Sequence, residues 1–387
     1  MRTARRYIAS EIYRSSAVVL LALIGLFSFF NLIEDLDKLS ATFSLTNLLY
    51  LQALSLPSQL YELLPIGLLI GAVLALAGLA QRNELVVLRV AGISGLQLLL
   101  LLWVITIPAM LGALALSEYI TPRAEIQASE SSLKLLGRAG GGRLHSGYWF
   151  KENESQDTMR LINIGRLADK STVQEITVFE FNSQQHLRAY IQAESGYFQD
   201  GQLHLQQVQH AQLPENVLDA LQQGYVRTEP LLIRESIDHL RLNTSLSAER
   251  LLARILTPER MTISDLMDYI DYLDSNQLQS DRQTVALWRK IAYPFSLLVM
   301  ITIAAPISFM QTRRGGVGSK IFIGILIGVG FFMMNQLALN VGMLSRWQPW
   351  VTALLPSLLA LCLALLALFI IENKHRWRKK ITSEHAA

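Results

Sequence analysis

The chain has 387 residues, 51% of them hydrophobic and only 17% charged, where a soluble domain carries about 25% charged residues. A net charge of +3, with basic residues set beside apolar runs rather than in a stripe of their own, argues against a nucleic-acid partner. The one cysteine, Cys362, lies in an apolar run, so neither a disulfide framework nor a thiolate metal site is available within the chain.

In chain order, six stretches reach the roughly 20 mainly apolar residues that cross a hydrocarbon core. They are Ser16 to Leu36, Ser58 to Ala80, Leu96 to Leu116, Ile291 to Met310, Ile321 to Met343 and Trp350 to Ile371. The first is too long for a signal peptide and lacks a small-residue cleavage site before Glu34, Asp35 and Asp37, which predicts an uncleaved anchor. Basic residues of short loops favour the cytoplasmic side. Arg2, Arg5, Arg6, Arg14, Arg82, Arg89, Arg313, Arg314, Lys320, Lys374, Arg376, Arg378, Lys379 and Lys380 fall on one side, and Lys38 and Arg346 on the other. The bias predicts both termini in the cytoplasm and the long middle segment outside.

In that segment the apolar period changes from helical to alternating, as in MRLINIGRL, VQEITVFEFN, HLRAYIQAESGYFQ, QLHLQQVQHAQL and GYVRTEPLLIRES. Short strands joined by turns such as Gln199-Asp200-Gly201 predict an antiparallel, sandwich or jelly-roll-like domain. From Ser264 to Leu273, and from Asp281 into the fourth span, three-and-four spacing predicts helices returning to the membrane, the first capped by Thr262 or Ser264. The expected organisation is residues 1–117 as spans one to three, 118–290 as the periplasmic insert with connecting helices at about 263–290, and 291–387 as spans four to six with a basic tail. The fold class is thus a polytopic α-helical membrane protein, three spans on either side of a β insert.

Between spans two and three, Arg82, Asn83 and Glu84 precede an apolar run, and Gly92-Ile93-Ser94-Gly95 permits a turn back into the bilayer. A short helix over about 81–94 along the membrane face follows. Two readings of it stand side by side. One is an amphipathic connector; the other is a helix docking in a groove of a motor subunit, Glu84 being the charged anchor and Leu85 and Leu88 the apolar knobs.

Gly315-Gly316-Val317-Gly318-Ser319-Lys320 lacks the order of a phosphate loop and leads into a span, so it reads as a flexible basic loop. There is no His-Glu-x-x-His motif and no Gly-x-Ser-x-Gly; His204 and His210 read as strand residues. Charges keep to span ends: Glu62 near the outer end of span two, and Glu34, Asp35, Asp37 and Lys38 at that of span one. Lys38 either snorkels to an acid or meets a lipid phosphate. Asn335, Gln336 and Asn340 in span five offer interhelical hydrogen bonds or a polar cavity lining. Pro57, Pro65, Gly67 and Gly71 let span two kink or pack closely.

At Leu79-Ala80-Gln81-Arg82-Asn83-Glu84-Leu85-Val86-Val87, preceded by Leu64-Pro65 and the small-residue stretch Gly67 to Gly78, the chain resembles the lipopolysaccharide-export permease family, LptF/LptG, and most closely its LptG branch. The resemblance continues through Ser117-Glu118-Tyr119-Ile120-Thr121-Pro122, Ile263-Ser264-Asp265-Leu266 and Leu287-Trp288-Arg289-Lys290, over essentially the whole chain. It implies an ABC-transporter permease without a nucleotide site or cofactor of its own. Its partners would be an LptF-type permease, two LptB-type ATPase subunits, an LptC-type membrane-anchored protein and a periplasmic LptA-type bridge, and its ligand lipopolysaccharide.

The family's coupling glutamate falls on Glu84, with Arg82, Asn83, Leu85 and Leu88 around it. The family places several lysines near the outer end of span one, of which only Lys38 matches; Lys134 and Arg138 are substitute candidates for lipid phosphate. A scaffold that presents its β domain to envelope proteins is the competing class, and the LptF-type sister the competing assignment. A lipid-modifying enzyme would need a convergent cluster of acids or histidines, which Glu62 and Glu34 do not make.

Overall fold

A computed structural model describes residues 2–39, 43–84, 87, 90, 92, 95–136, 148–155, 158–167, 172–199, 201–213, 233–244, 246, 257–309, 317–345 and 347–384. Leu85, Leu88, Arg89, Arg138, Asp200, Arg313 to Gly316, Arg346 and the stretch Gly224 to Leu232 lie outside the described residues. Two compact units emerge, one of Met1–Ser131, Pro258–Met267 and Ser280–Ala387, the other of Ser132–Thr257 and Asp268–Gln279.

The first unit is helical. In chain order it holds α1 (Arg2–Asp35), α2 (Leu45–Gln81), α3 (Gly95–Ala115) running through a wide turn at Leu116–Ile120 into α4 (Thr121–Leu136), the start of α5 (Ile263–Ser275), α6 (Asp281–Phe309), α7 (Val317–Leu344) and α8 (Pro349–Glu384). Among the described residues six helices are long and apolar enough to cross a membrane. α1 and α6 begin well ahead of their apolar runs, because polar flanks carry the same backbone hydrogen bonds. In α1 the polar stretch buries Ile8 and Ile12, four residues apart on one face. Ser44 caps α2, its hydroxyl accepting the Asn47 N–H at 3.4 Å.

The centre of this unit is α2 against α6, with α1 and α7 packed on α2, and α3 and α8 on α6. Leu69, Ala72, Val73, Leu297, Val299, Met300, Ile301 and Ala304 are wholly buried. Close approach is set by small residues. A side chain on Gly71 would overlap the Ser16 backbone of α1, and one on Gly67 the Leu20 side chain. On another side of α2, the Cα–H faces of Gly324 and Gly328 receive Val73 and Leu69, which a Cβ would meet at 3.4 and 3.3 Å. Polar ties between helices include Trp103 Nε1 donating to Thr302 Oγ1 at 2.9 Å and the Tyr13 and Tyr293 hydroxyls donating to the Ile105 and Tyr61 carbonyls. Asn335 instead donates to Phe331 O of its own helix at 3.1 Å, and Gln336 and Asn340 are exposed.

The second unit is a single antiparallel sheet, β1 (Tyr148–Ser155), β2 (Thr158–Leu167), β3 (Thr172–Asn182), β4 (Leu187–Gln199), β5 (Gln202–Gln212) and β6 (Ile233–Asn243), paired in sequence order. This is the antiparallel insert that the alternating stretches predict, with β1 added and β6 beginning inside the last of them. Although β1 and β6 are the outer strands of the order, they are tied by side chains. Glu152 on β1 accepts the Thr244 hydroxyl at 2.9 Å, and Arg160 on β2 donates to Asn243 O at 3.1 Å while pairing with Glu180 at 2.6 Å. Neighbouring strands lie about 4.8 Å apart, so an arginine reaches from β2 to the end of β6 only if the sheet rolls round. Phe150, Ile162, Ile164, Val178, Ile191, Leu203, Leu205 and Val208 form the core inside the roll.

A crease runs across the sheet. Ile176, Ala193, Val208 and Ile237 form one inward row and Val173, Gly196, Leu205 and Leu240 the next, and each strand places two residues between them instead of one. The extra pairs, Gln174-Glu175, Glu194-Ser195, Gln206-Gln207 and Asp238-His239, all turn outward and line an open polar groove of about 680 Å³. Glu175 and Gln207 take left-handed backbone there, with φ of 57° and 54°, as bulges do. The crease lets one sheet bend around its own apolar face.

Candidate functional site

The loop between α2 and α3 is built by two left-handed residues. Arg82 N–H still bonds Gly78 O at 3.1 Å, and Asn83 then takes φ of 59° and ends α2 in the way that asparagine tolerates. The Val87 N–H returns to Asn83 O at 3.1 Å, Glu84, Val87 and Val90 take helical backbone, and Gly92, with φ of 91°, turns the chain toward α3. Residues three apart are neighbours on a helix, so Glu84, Val87 and Val90 share a side. Val87 is 66% and Val90 85% exposed.

Glu84 is half-buried directly after Asn83. Its Oε1 accepts the Tyr7 hydroxyl at 3.4 Å, and Arg82, exposed, lies 3.9 Å from Glu11 Oε1. Both partners are on α1, so the loop rests against the beginning of the chain. The structure therefore brings Arg82, Asn83 and Glu84 together. Leu85 and Leu88 lie outside the described residues, and the exposed apolar side that is seen belongs to Val87 and Val90.

The lipid-phosphate candidates are placed only in part. Lys38 closes a short 3-10 turn, Leu36–Lys38, after α1, and Lys134 sits in α4; their side chains are outside the description, as is all of Arg138. Glu62 is exposed on α2, close enough to Arg260, Glu125, Glu259 and Arg289 to interact with their charges.

A second polar centre, which sequence reasoning did not assemble, lies where the chain leaves and re-enters the helical unit. Glu125 is 5% exposed; it accepts the Ser58 hydroxyl and, at 2.9 Å, Arg260 Nη1. Glu118 Oε2 accepts the Ile263 N–H at 3.1 Å, and Glu118 Oε1 is 3.1 Å from Lys290 Nζ. Lys290, whose side chain is 5% exposed, also donates to Met261 O and, at 3.2 Å, to Ser117 O. Thr262 caps α5 by accepting the Asp265 N–H at 3.0 Å.

Why Ser117 O is available follows from the sequence. In the wide turn the Thr121 N–H bonds Leu116 O, five residues back. The next residue in that register is Pro122, which has no N–H to return to Ser117. Lys290 fills the vacancy. Removing one partner from a buried charge pair costs about 3–5 kcal/mol, so each member holds the others in place. The signal in the sequence was a charge at the edge of an apolar run, which reads equally well as a snorkelling end; the partners are far apart in the chain.

The model of the family described as lipopolysaccharide export system permease LptF/LptG matches residues 6–370. The chain is 25% identical over 362 residues to the lipopolysaccharide export system permease protein LptG of Haemophilus influenzae, covering 93% of this chain and 96% of that protein. It is 26% identical over 358 residues to the protein of the same name from Escherichia coli strain K12, covering 91% and 94%. With six spanning helices split three and three around a rolled β insert, and a family match that runs from α1 to α8, the chain is a multi-pass membrane protein that belongs to the LptF/LptG family of lipopolysaccharide export permeases.

Proposed function

We propose that this chain is the LptG-type half of an inner-membrane ABC transporter that draws lipopolysaccharide from the membrane and passes it toward a periplasmic bridge. Both termini and the α2–α3 loop lie in the cytoplasm, and the β insert in the periplasm, as the bias of basic loop residues argues. An LptF-type permease completes the lipid cavity. Two LptB-type ATPase subunits supply the energy, so the chain is not itself an enzyme and carries no cofactor. An LptC-type protein and an LptA-type bridge receive the lipid from the β insert. Lys38, Lys134 and Arg138 are the cations offered to the lipid phosphates.

The observation that carries this reading is the turn that follows Asn83, where Glu84 stands beside the exposed Val87 and Val90. A passive scaffold has no use for such a surface. ATP-driven release of lipopolysaccharide from proteoliposomes holding the assembled complex tests it. Glu84→Ala is expected to lower release about tenfold or more, and Glu84→Lys to abolish it, as loss or reversal of a buried interfacial charge does. Full release by both variants would return the scaffold to the front.

A further inference from the structure

Two separate crossings join the helical unit to the insert. The outgoing one runs from α3 through the wide turn into α4; the returning one is Pro258 to Asp265, which clusters with the spans and not with the strands it follows. Every charged contact of the second polar centre spans these two crossings or ties them to α2 and α6. Glu118 holds the returning Ile263 N–H, Glu125 holds the returning Arg260 and Ser58 of α2, and Lys290 of α6 grips one carbonyl from each crossing, Ser117 and Met261. The stretches at Ser117 to Pro122, Ile263 to Leu266 and Leu287 to Lys290, distant in sequence, meet in this one place.

A joint whose only task was cohesion would be served as well by packed apolar residues, since replacing a buried ion pair by well-fitted hydrophobic side chains is often neutral or stabilising. What directional bonds add is a fixed geometry. We propose that this clasp is a mechanical joint that stays shut through the transport cycle and carries the movement of α3 and α6 to both ends of the insert together, with Lys290 as its positioning residue. This rests on the reading of the chain as an ATP-driven permease. In that reading the α2–α3 loop feeds directly into α3, so the stroke enters at one end of that helix and leaves at Ser117 and Glu118.

The test uses the assembled complex in lipid, comparing the parent with Lys290→Met, Lys290→Arg and Glu118→Gln. Lipopolysaccharide released per ATP hydrolysed is expected to fall about tenfold in Lys290→Met while ATP turnover stays near the parent rate, a change of the size that a mutated coupling element produces. Lys290→Arg, which keeps the charge, restores most of the yield. Hydrogen exchange at Ile263 to Asp265 should be slow in the parent with and without ATP, and fast in Lys290→Met. That readout does not depend on the cargo, so it separates failure of the joint from failure of the transport reading, which the Glu84 variants report. A parental yield per ATP in Lys290→Met, a parallel loss of ATP turnover and release, or ATP-dependent opening of the Ile263 region in the parent would each overturn the proposal. If Lys290→Met fails to assemble, Glu118→Gln decides on the same readouts; failure of both to assemble leaves the cluster a folding role alone and sinks the joint.

Discussion

Gly71 and Ser16 show how a single hydrogen atom in place of a side chain decides a helix contact. The backbone of α1 lies directly over Gly71, and in a bilayer such close packing replaces the hydrophobic drive that water would supply. Gly71→Val is expected to push α1 off α2 and destabilise the protein by about 1–3 kcal/mol, read as a lower melting temperature in detergent. Gly78→Val, in the same helix with open space beside it, should leave that temperature nearly unchanged. The importance of Gly67 and Gly71 was visible in their composition and spacing, but not which helix rests on them. Lys290 is the opposite case. It stands at the head of an apolar run and is buried there, because Pro122, far away in sequence, leaves a carbonyl for it.

Among the elements, the loop after α2 carries the sharpest expectation. Val87 and Val90 present an apolar side that covers nothing within the described chain, so Val87→Asp or Val90→Asp should weaken retention of the ATPase subunits about tenfold or more on purification, as a charge in an apolar groove does. Retention equal to the parent would remove these two valines from the docking surface. That side was not legible, since apolar residues crowd Leu85 to Val90 around the single charge of Arg89 and only the stop at Asn83 sets which of them share a side with Glu84. The strands β2 to β5 were legible from alternation. β1 was not, because its inward position at Glu152 is a carboxylate satisfied by Thr244, and a polar residue facing in breaks the pattern by which strands are recognised. The spans were legible throughout, since no soluble core needs six apolar runs of that length.

At the scale of the molecule, the orientation invites a direct measurement. In a Cys362→Ser background, a cysteine at Gly201, between β4 and β5, should react with a membrane-impermeant thiol reagent from the periplasmic side, and one at Gly318, at the start of α7, only after the inner membrane is opened. The reverse pattern would invert the topology. The clustering of the returning segment with the spans was beyond reach of the sequence, because it depends on partners such as Arg260 and Glu125, 135 positions apart.

The crease in the rolled sheet makes strand length a collective property. On either side of it the inward residues obey opposite parity, odd in one half of β3 and even in the other, and β4, β5 and β6 switch at the same row. Deleting one residue from a single strand at that row would turn half of it inside out against neighbours that keep their own count. Only matched deletions in all of the strands would restore agreement, and they would flatten the sheet that now encloses its core. The residue count of each strand is therefore bound to that of its neighbours, and length changes in this insert are confined to the connections between strands.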